Sequence, residues 1–360
     1  MSKFAHLIDQ YKDYLTLYHE CRIPKNPFFD LDANASNERL MVVSSPSRMG
    51  NHLLMSMLDG HPELPSVPGE DGFLLFSFMM ANYDVRELIS CFKHGDVAAN
   101  MMNLASNGGG SKWQQFSQLN AENIKEQKYS GVGSGSTSAV VDFEGVVFDI
   151  NAADYASFLK SELAKLQKDS VFNDFLVTYT RALGKLNPKP NNTSYDSYLV
   201  HGAMRTQLLW LCETMPSTKI MMSVRAFPSY LQSHVKSRYG DVEYTDELVK
   251  EAWEHWFHKV IDAVYLRLHY PDQVGLVTFE DLIGDQDTCQ KAMCGFLEIQ
   301  HAESMNVATI YGNSVKGNSW KSRNGKQSGG FYKPAAIEYD VELPKQANEI
   351  WSLVQLAKLK

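Results

Sequence analysis

Three short apolar runs, each followed by a helical pattern, constrain this 360-residue chain more than any other feature. They are Leu40-Met41-Val42-Val43, Ile220-Met221-Met222-Ser223-Val224 and residues 274–279. Apolar runs of this length, bounded by turn signals, read as buried strands. Behind the first, Leu53, Leu54, Met57 and Leu58 fall on one face of a helix. Behind the second, a helix begins near Pro228, and Thr245 caps a longer one with Asp246 and Glu247 in its first turn. Positions 248, 249, 252, 253, 256, 257, 260, 261 and 264 of that helix form a continuous apolar stripe. Behind the third run, residues 280–297 read as one further helix, and a helix over about 203–214 is stopped by Pro216. Strand–helix alternation predicts an α/β fold: a central, mostly parallel sheet flanked by helices.

Residues 1–38 read as an N-terminal helix and arm broken by Pro24 and Pro27. Residues 39–360 read as a single α/β domain with a large helical and loop insertion over about 72–200. Within the insertion, Gly and Ser crowd 106–111 and 130–138, a helix starts near Asp154, and Pro188 and Pro190 mark a loop. Hydrophobic residues at 44% and charged residues at 21% are ordinary globular usage, enough for a core without disulfides. Five cysteines with no C-x-x-C pair point to a reducing compartment and no structural zinc. The N-terminus carries no signal-peptide pattern, and no run of 18 apolar residues occurs, so a soluble cytoplasmic protein is expected. Lys+Arg 34 against Asp+Glu 42 leaves a net charge of −8, which disfavours nucleic acid as a partner. It does not disfavour a local basic cleft for a small anion. A homo-oligomer is left open.

The segment after the first run, Ser44-Ser45-Pro46-Ser47-Arg48-Met49-Gly50-Asn51-His52, joins a strand to a helix. Unpaired N–H groups and the helix dipole make such a junction an anion site. Gly50 allows close approach, Arg48 offers a bidentate donor, and Asn51 and His52 add side-chain donors. The alternative is an ordinary strand–helix turn with a surface arginine. The segment lacks the G-x-x-x-x-G-K-[ST] of a Walker A loop. It resembles the 5′-phosphosulfate loop of sulfotransferases that use 3′-phosphoadenosine-5′-phosphosulfate (PAPS). Arg48, Gly50 and Leu53-Leu54 match that loop; Met49 and Asn51-His52 depart from it. Three later stretches resemble the family in order: Arg225 with Pro228 and, eight residues on, Ser233; Thr278-Phe279-Glu280-Asp281-Leu282 with Gly295-Phe296-Leu297; and the Gly/Asn-rich segment 311–321. Glu280 and Asp281 are expected to be structural, capping the helix and orienting the core.

The resemblance covers about 40–75 and 200–325 and implies a P-loop-NTPase-like sulfotransferase fold. It implies PAPS as sulfuryl donor, PAP as product, a small-molecule acceptor with a hydroxyl or amine, and no metal; the lack of a long apolar run implies no membrane partner. It assigns Arg48, Met49, Gly50, Asn51, His52 and Leu53 to the 5′ end of the nucleotide and Arg225 and Ser233 to its 3′-phosphate. Lys316, Asn318 and Lys321 would close over it. Arg48 would stabilise the departing oxygen, and Glu70 is the first candidate for general base. The related tyrosyl-protein sulfotransferases carry an arginine two residues after their glutamate, where this chain has Gly72. His201 and Ser319 are candidate donors to the transferring group, and His61 is expected to be structural. Each of these side chains also has a plain structural reading. Two alternatives stand beside the enzyme: a non-catalytic binding protein on the same scaffold, and a P-loop kinase.

Overall fold

A computed structural model describes residues 39–46, 48–65, 129–130, 140–141, 161–162, 164–165, 178, 194–195, 197–202, 205–307, 309–310, 313–314 and 342–360. Four parallel strands form the sheet: β1 (Leu40–Ser45), β2 (Ser197–Gly202), β3 (Lys219–Val224) and β4 (Val274–Thr278). Their spatial order is β2-β1-β3-β4. Every residue of β1 and β4 is buried, as parallel strands covered on both faces require. Two short antiparallel ladders, Tyr129–Ser130 with Val140–Val141 and Thr309–Ile310 with Asn313–Ser314, lie outside this sheet.

The helices are α1 (Asn51–Asp59), α2 (Arg205–Thr214), α3 (Phe227–Tyr239), α4 (Asp246–His269), α5 (Phe279–Gly284), α6 (Gln286–Leu297) and α7 (Gln346–Ala357). Thr245 caps α4 as expected, accepting from the N–H of Leu248, and Val249, Ala252, Trp256, Val260, Ile261 and Val264 of its stripe are buried. Among the described residues no helix is long and apolar enough to cross a membrane. Cys212, Cys289 and Cys294 are free and buried.

The structure differs from the sequence reading in four places. The first strand runs on through Ser44 and Ser45, because Ser45 Oγ accepts from the N–H of Ser223 at 2.7 Å and holds β1 beside β3. Residues 280–297 form two helices rather than one: Asp285 lies outside helical geometry (φ −134°, ψ 59°), and the chain turns there. β2 and α7 were not read from the sequence. α7 packs on α4, and beyond it the N–H of Leu359 donates to the carbonyl of Leu276 at 2.8 Å. That bond covers part of the open edge of β4.

Gly275 sets the depth of one layer. A Cβ there would lie 2.7 Å from Met221 Sδ and from the Phe296 ring, so only glycine lets α6 sit this close to the sheet. The expected N-terminal helix and arm, the helix near Asp154 and most of the insertion lie outside the described residues.

Candidate functional site

The loop from β1 into α1 stands at the carboxyl edge of the sheet. Arg48 has φ 70° and Gly50 φ 98°, so two left-handed residues fall within three positions. Left-handed backbone costs a non-glycine residue about 1–2 kcal/mol. Strain of this kind collects where function needs a particular loop shape. The N–H of Met49 donates to the carbonyl of Pro46 at 3.2 Å, and that of Leu54 to Gly50 at 3.0 Å, which begins the helix. Among the described residues no side chain caps α1, and its first turn carries no acidic residue. The positive end of its dipole therefore points toward the place an anion would take. Met49 and Leu53 bury their side chains in the core, so any contribution from them is through the backbone.

Gly50 is required for a second reason. A Cβ on it would lie 2.9 Å from Phe279 Cδ2. The same Phe279 ring carries the Arg225 guanidinium 3.5 Å from its centroid. One buried aromatic thus packs against both the loop and the arginine at the end of β3. The β1 and β3 ends are further tied by the Ser45 Oγ and Ser223 Oγ pair at 2.8 Å.

Arg225 is only 8% exposed. Trp256 Nε1 donates to its carbonyl at 2.6 Å and fixes the backbone. Its guanidinium makes no ion pair with a carboxylate among the described residues, and its Nε is buried without a hydrogen-bond partner. Burial pushes its pKa down to about 10; the nearby Glu280 carboxylate opposes that, and Arg48 adds to it. Burial likewise lowers the pKa of Arg48. Ser44 Oγ, near the carboxyl end of β1, is a second buried polar atom without a partner among the described residues. A buried guanidinium with no ion pair among the described residues, beside a second arginine and a helix start with no side-chain cap among them, fits a polyanionic ligand.

Glu280 is structural, though in a different place from the expected one. Its carboxylate accepts from the N–H of Ala226 at 3.2 Å and from Ser229 Oγ at 2.7 Å, and so caps α3 rather than its own helix. Thr278 caps α5 by accepting from the N–H of Asp281, while the Asp281 carboxylate accepts from Lys358 Nζ at 2.8 Å. Ser233 lies half-buried on α3, one turn beyond Ser229. His61 is buried and structural: Nδ1 accepts from the N–H of Glu63 at 3.1 Å, which leaves Nε2 to donate to the carbonyl of Gln300 at 2.7 Å.

The carboxyl end of β2 brings the backbone of His201 beside Ser44, next to the loop. The side chains of His201 and His52 lie outside the described residues, as do Glu70, Lys316, Asn318, Ser319 and Lys321. Asn51 is buried at the start of α1. Among the described residues no group of three or more His, Cys, Asp and Glu side chains is placed to hold a metal ion.

One residue was missed. Lys259, on α4, donates from Nζ to Tyr230 Oη at 3.2 Å. Burial, with Arg238 and Arg48 nearby, pushes its pKa down to about 8. Its signal in the sequence was a lysine three residues after Trp256 and one before Val260, on the apolar side of α4.

No protein-family model matches the chain, and no curated protein matches it. Among solved structures, the sulfotransferase domain of the Synechococcus PCC 7002 olefin synthase is similar at 17% identity, over 90% of this chain and 96% of that one, with a TM-score of 0.51. The sulfotransferase domain of the curacin biosynthetic pathway follows at 16% identity, over 89% and 97%, with a TM-score of 0.47. A sulfotransferase of Mycobacterium avium is similar at 11% identity, over 80% and 70%, with a TM-score of 0.35. The chain has the α/β fold of a sulfotransferase domain, expected from its motifs and seen in its four-stranded parallel sheet.

Proposed function

We propose that this protein transfers a sulfuryl group from PAPS to a hydroxyl or amine of a small-molecule acceptor, as a cytoplasmic enzyme. The observation that carries the reading is the buried Arg225 guanidinium, without an ion pair among the described residues, at the same sheet edge as the Arg48–Gly50 loop. A cation kept inside without a counter-ion is costly and persists where a ligand supplies the anion. When bound, PAPS supplies an activated sulfuryl group on a good leaving phosphate.

In this reading Arg225 and Ser233 bind the 3′-phosphate, and Phe279 holds the guanidinium flat for a two-point contact. The N–H groups of residues 50–53 and the Arg48 side chain bind the 5′ end, while Met49, whose N–H is held by Pro46, shapes the loop. Arg48 also stabilises charge as it builds on the departing oxygen, a role that needs position and electrostatics rather than covalent chemistry. Lys316, Asn318 and Lys321 close over the nucleotide. Glu70 takes the acceptor's proton, and His201 and Ser319 donate to the transferring group.

Titration calorimetry with PAP, with and without Mg²⁺ and beside ATP, tests the reading. Micromolar, metal-independent PAP binding that collapses in Arg48→Ala and Arg225→Ala is expected. Absence of PAP binding refutes it, and a preference for Mg-ATP would point to a phosphotransferase.

A further inference from the structure

Lys259 has no part in the motifs that led to the site, and the sheet edge does not require it. It lies between Trp256 and Val260, both fully buried on the inner side of α4. A lysine on such a face ordinarily pairs with a carboxylate. Among the described residues none lies within ion-pair distance of it; its hydrogen-bond partner is the neutral Tyr230 oxygen, and its Nζ stands 5.5 Å from that ring's centroid.

A directed chain of hydrogen bonds stands behind that oxygen. Tyr230 is fully buried, and its Oη lies 3.2 Å from His234 Nδ1. His234 Nε2 lies 3.3 Å from Glu251 Oε1, and Glu251 also accepts from Arg238 and, at 2.6 Å, from Tyr239 Oη. His234 is held neutral, its pKa lowered to about 4 mainly by burial. One arrangement satisfies every atom: His234 donates from Nε2 to Glu251 and accepts at Nδ1 from Tyr230, whose oxygen accepts from Lys259. The chain orients the ammonium group, and no carboxylate among the described residues pairs with it. The nearby cations are Arg48 and Arg238. Arg48 also acts on Tyr230.

We propose that Lys259, oriented through Tyr230, His234 and Glu251, is a further anion-binding residue of this site and serves the 5′ end of the donor nucleotide beside Arg48. The inference rests on the sulfonucleotide reading above. It makes α4 a third contributor to the site, after the β1–α1 loop and the end of β3.

The test compares two ligands on the full chain by calorimetry: PAP, and 3′-AMP, which lacks the 5′-phosphate. Lys259→Met is expected to weaken PAP about tenfold, the value of one charge-assisted contact, and to leave 3′-AMP unchanged. Lys259→Arg is expected to restore most of the loss. Tyr230→Phe, which keeps the ring and removes the oxygen, is expected to weaken PAP about threefold with 3′-AMP again unchanged. Unchanged PAP affinity in Lys259→Met, or equal losses for both ligands, overturns the proposal while the nucleotide reading stands. A wild-type protein that binds neither ligand overturns the nucleotide reading itself. If Lys259→Met fails to fold, the Tyr230→Phe comparison decides by the same criterion.

Discussion

Arg225→Met should separate stability from binding. Arg225 is 8% exposed, without a carboxylate partner among the described residues, and burial pushes its pKa well below the ordinary arginine value, down to about 10. At 1.36 kcal/mol per unit, that displacement is a penalty of roughly 3 kcal/mol on the charged form. The folded-state pKa lies below the unfolded one. The penalty is therefore present in full below pH 10 and lifts only as pH rises above about 10 toward the ordinary arginine value. The stack on Phe279 at 3.5 Å offsets about 1–2 kcal/mol of it. A methionine keeps a flexible stem and a sulfur against the same ring. The ligand-free variant should thus be as stable as wild type or more stable by about 1–2 kcal/mol, a Tm rise of roughly 1–3 °C for a chain of this size. PAP affinity should fall at least about thirtyfold, the cost of removing one partner of a buried charge pair. The thermal shift that PAP gives the wild type should disappear with it. Melts with and without PAP, at pH 7.5, measure both quantities. A ligand-free Tm lowered by several degrees with PAP binding intact would refute the reasoning, since it would make Arg225 a structural cation.

Gly50→Ala combines a left-handed φ of 98° with a 2.9 Å contact to Phe279, so destabilisation of about 2–3 kcal/mol is expected in denaturant melts. The φ of 70° at Arg48 predicts that Arg48→Gly is more stable than Arg48→Ala by about 1 kcal/mol, although both lose PAP binding; equal melts would show that the loop relaxes. Below pH 6.5 the unfolded chain protonates its counterpart of His234 while the folded protein, with a pKa near 4, does not. Stability should accordingly fall between pH 6.5 and 4, and His234→Gln should flatten the Tm profile over that window.

Much of the scaffold was legible because it rests on local patterns. Three of the four sheet strands appeared as apolar runs, and α4 appeared as a stripe with its Thr245 cap in place. Those signals depend on neighbours a few residues apart. The β1–α1 loop and Arg225 were legible for a similar reason: each follows a recognisable strand, and motif spacing marks it. β2 was not read, because Tyr198-Leu199-Val200 is too brief a run to distinguish from a packed loop. The break at Asp285 was missed although Gly284-Asp285 marks a turn there and residues 284–288 interrupt the apolar pattern.

By itself, the sequence determined the α/β class, the order of most elements along the chain and the loop and arginine that point to an anion. Tertiary structure alone decided what those groups meet. It placed β2 outside β1, set one phenylalanine against both Gly50 and Arg225, turned Glu280 to cap α3, and brought Lys259 to Tyr230. The reason is physical: propensity and periodicity act over a few residues. Whether a buried charge has a partner depends on residues tens of positions away, so it appears only once the chain is folded.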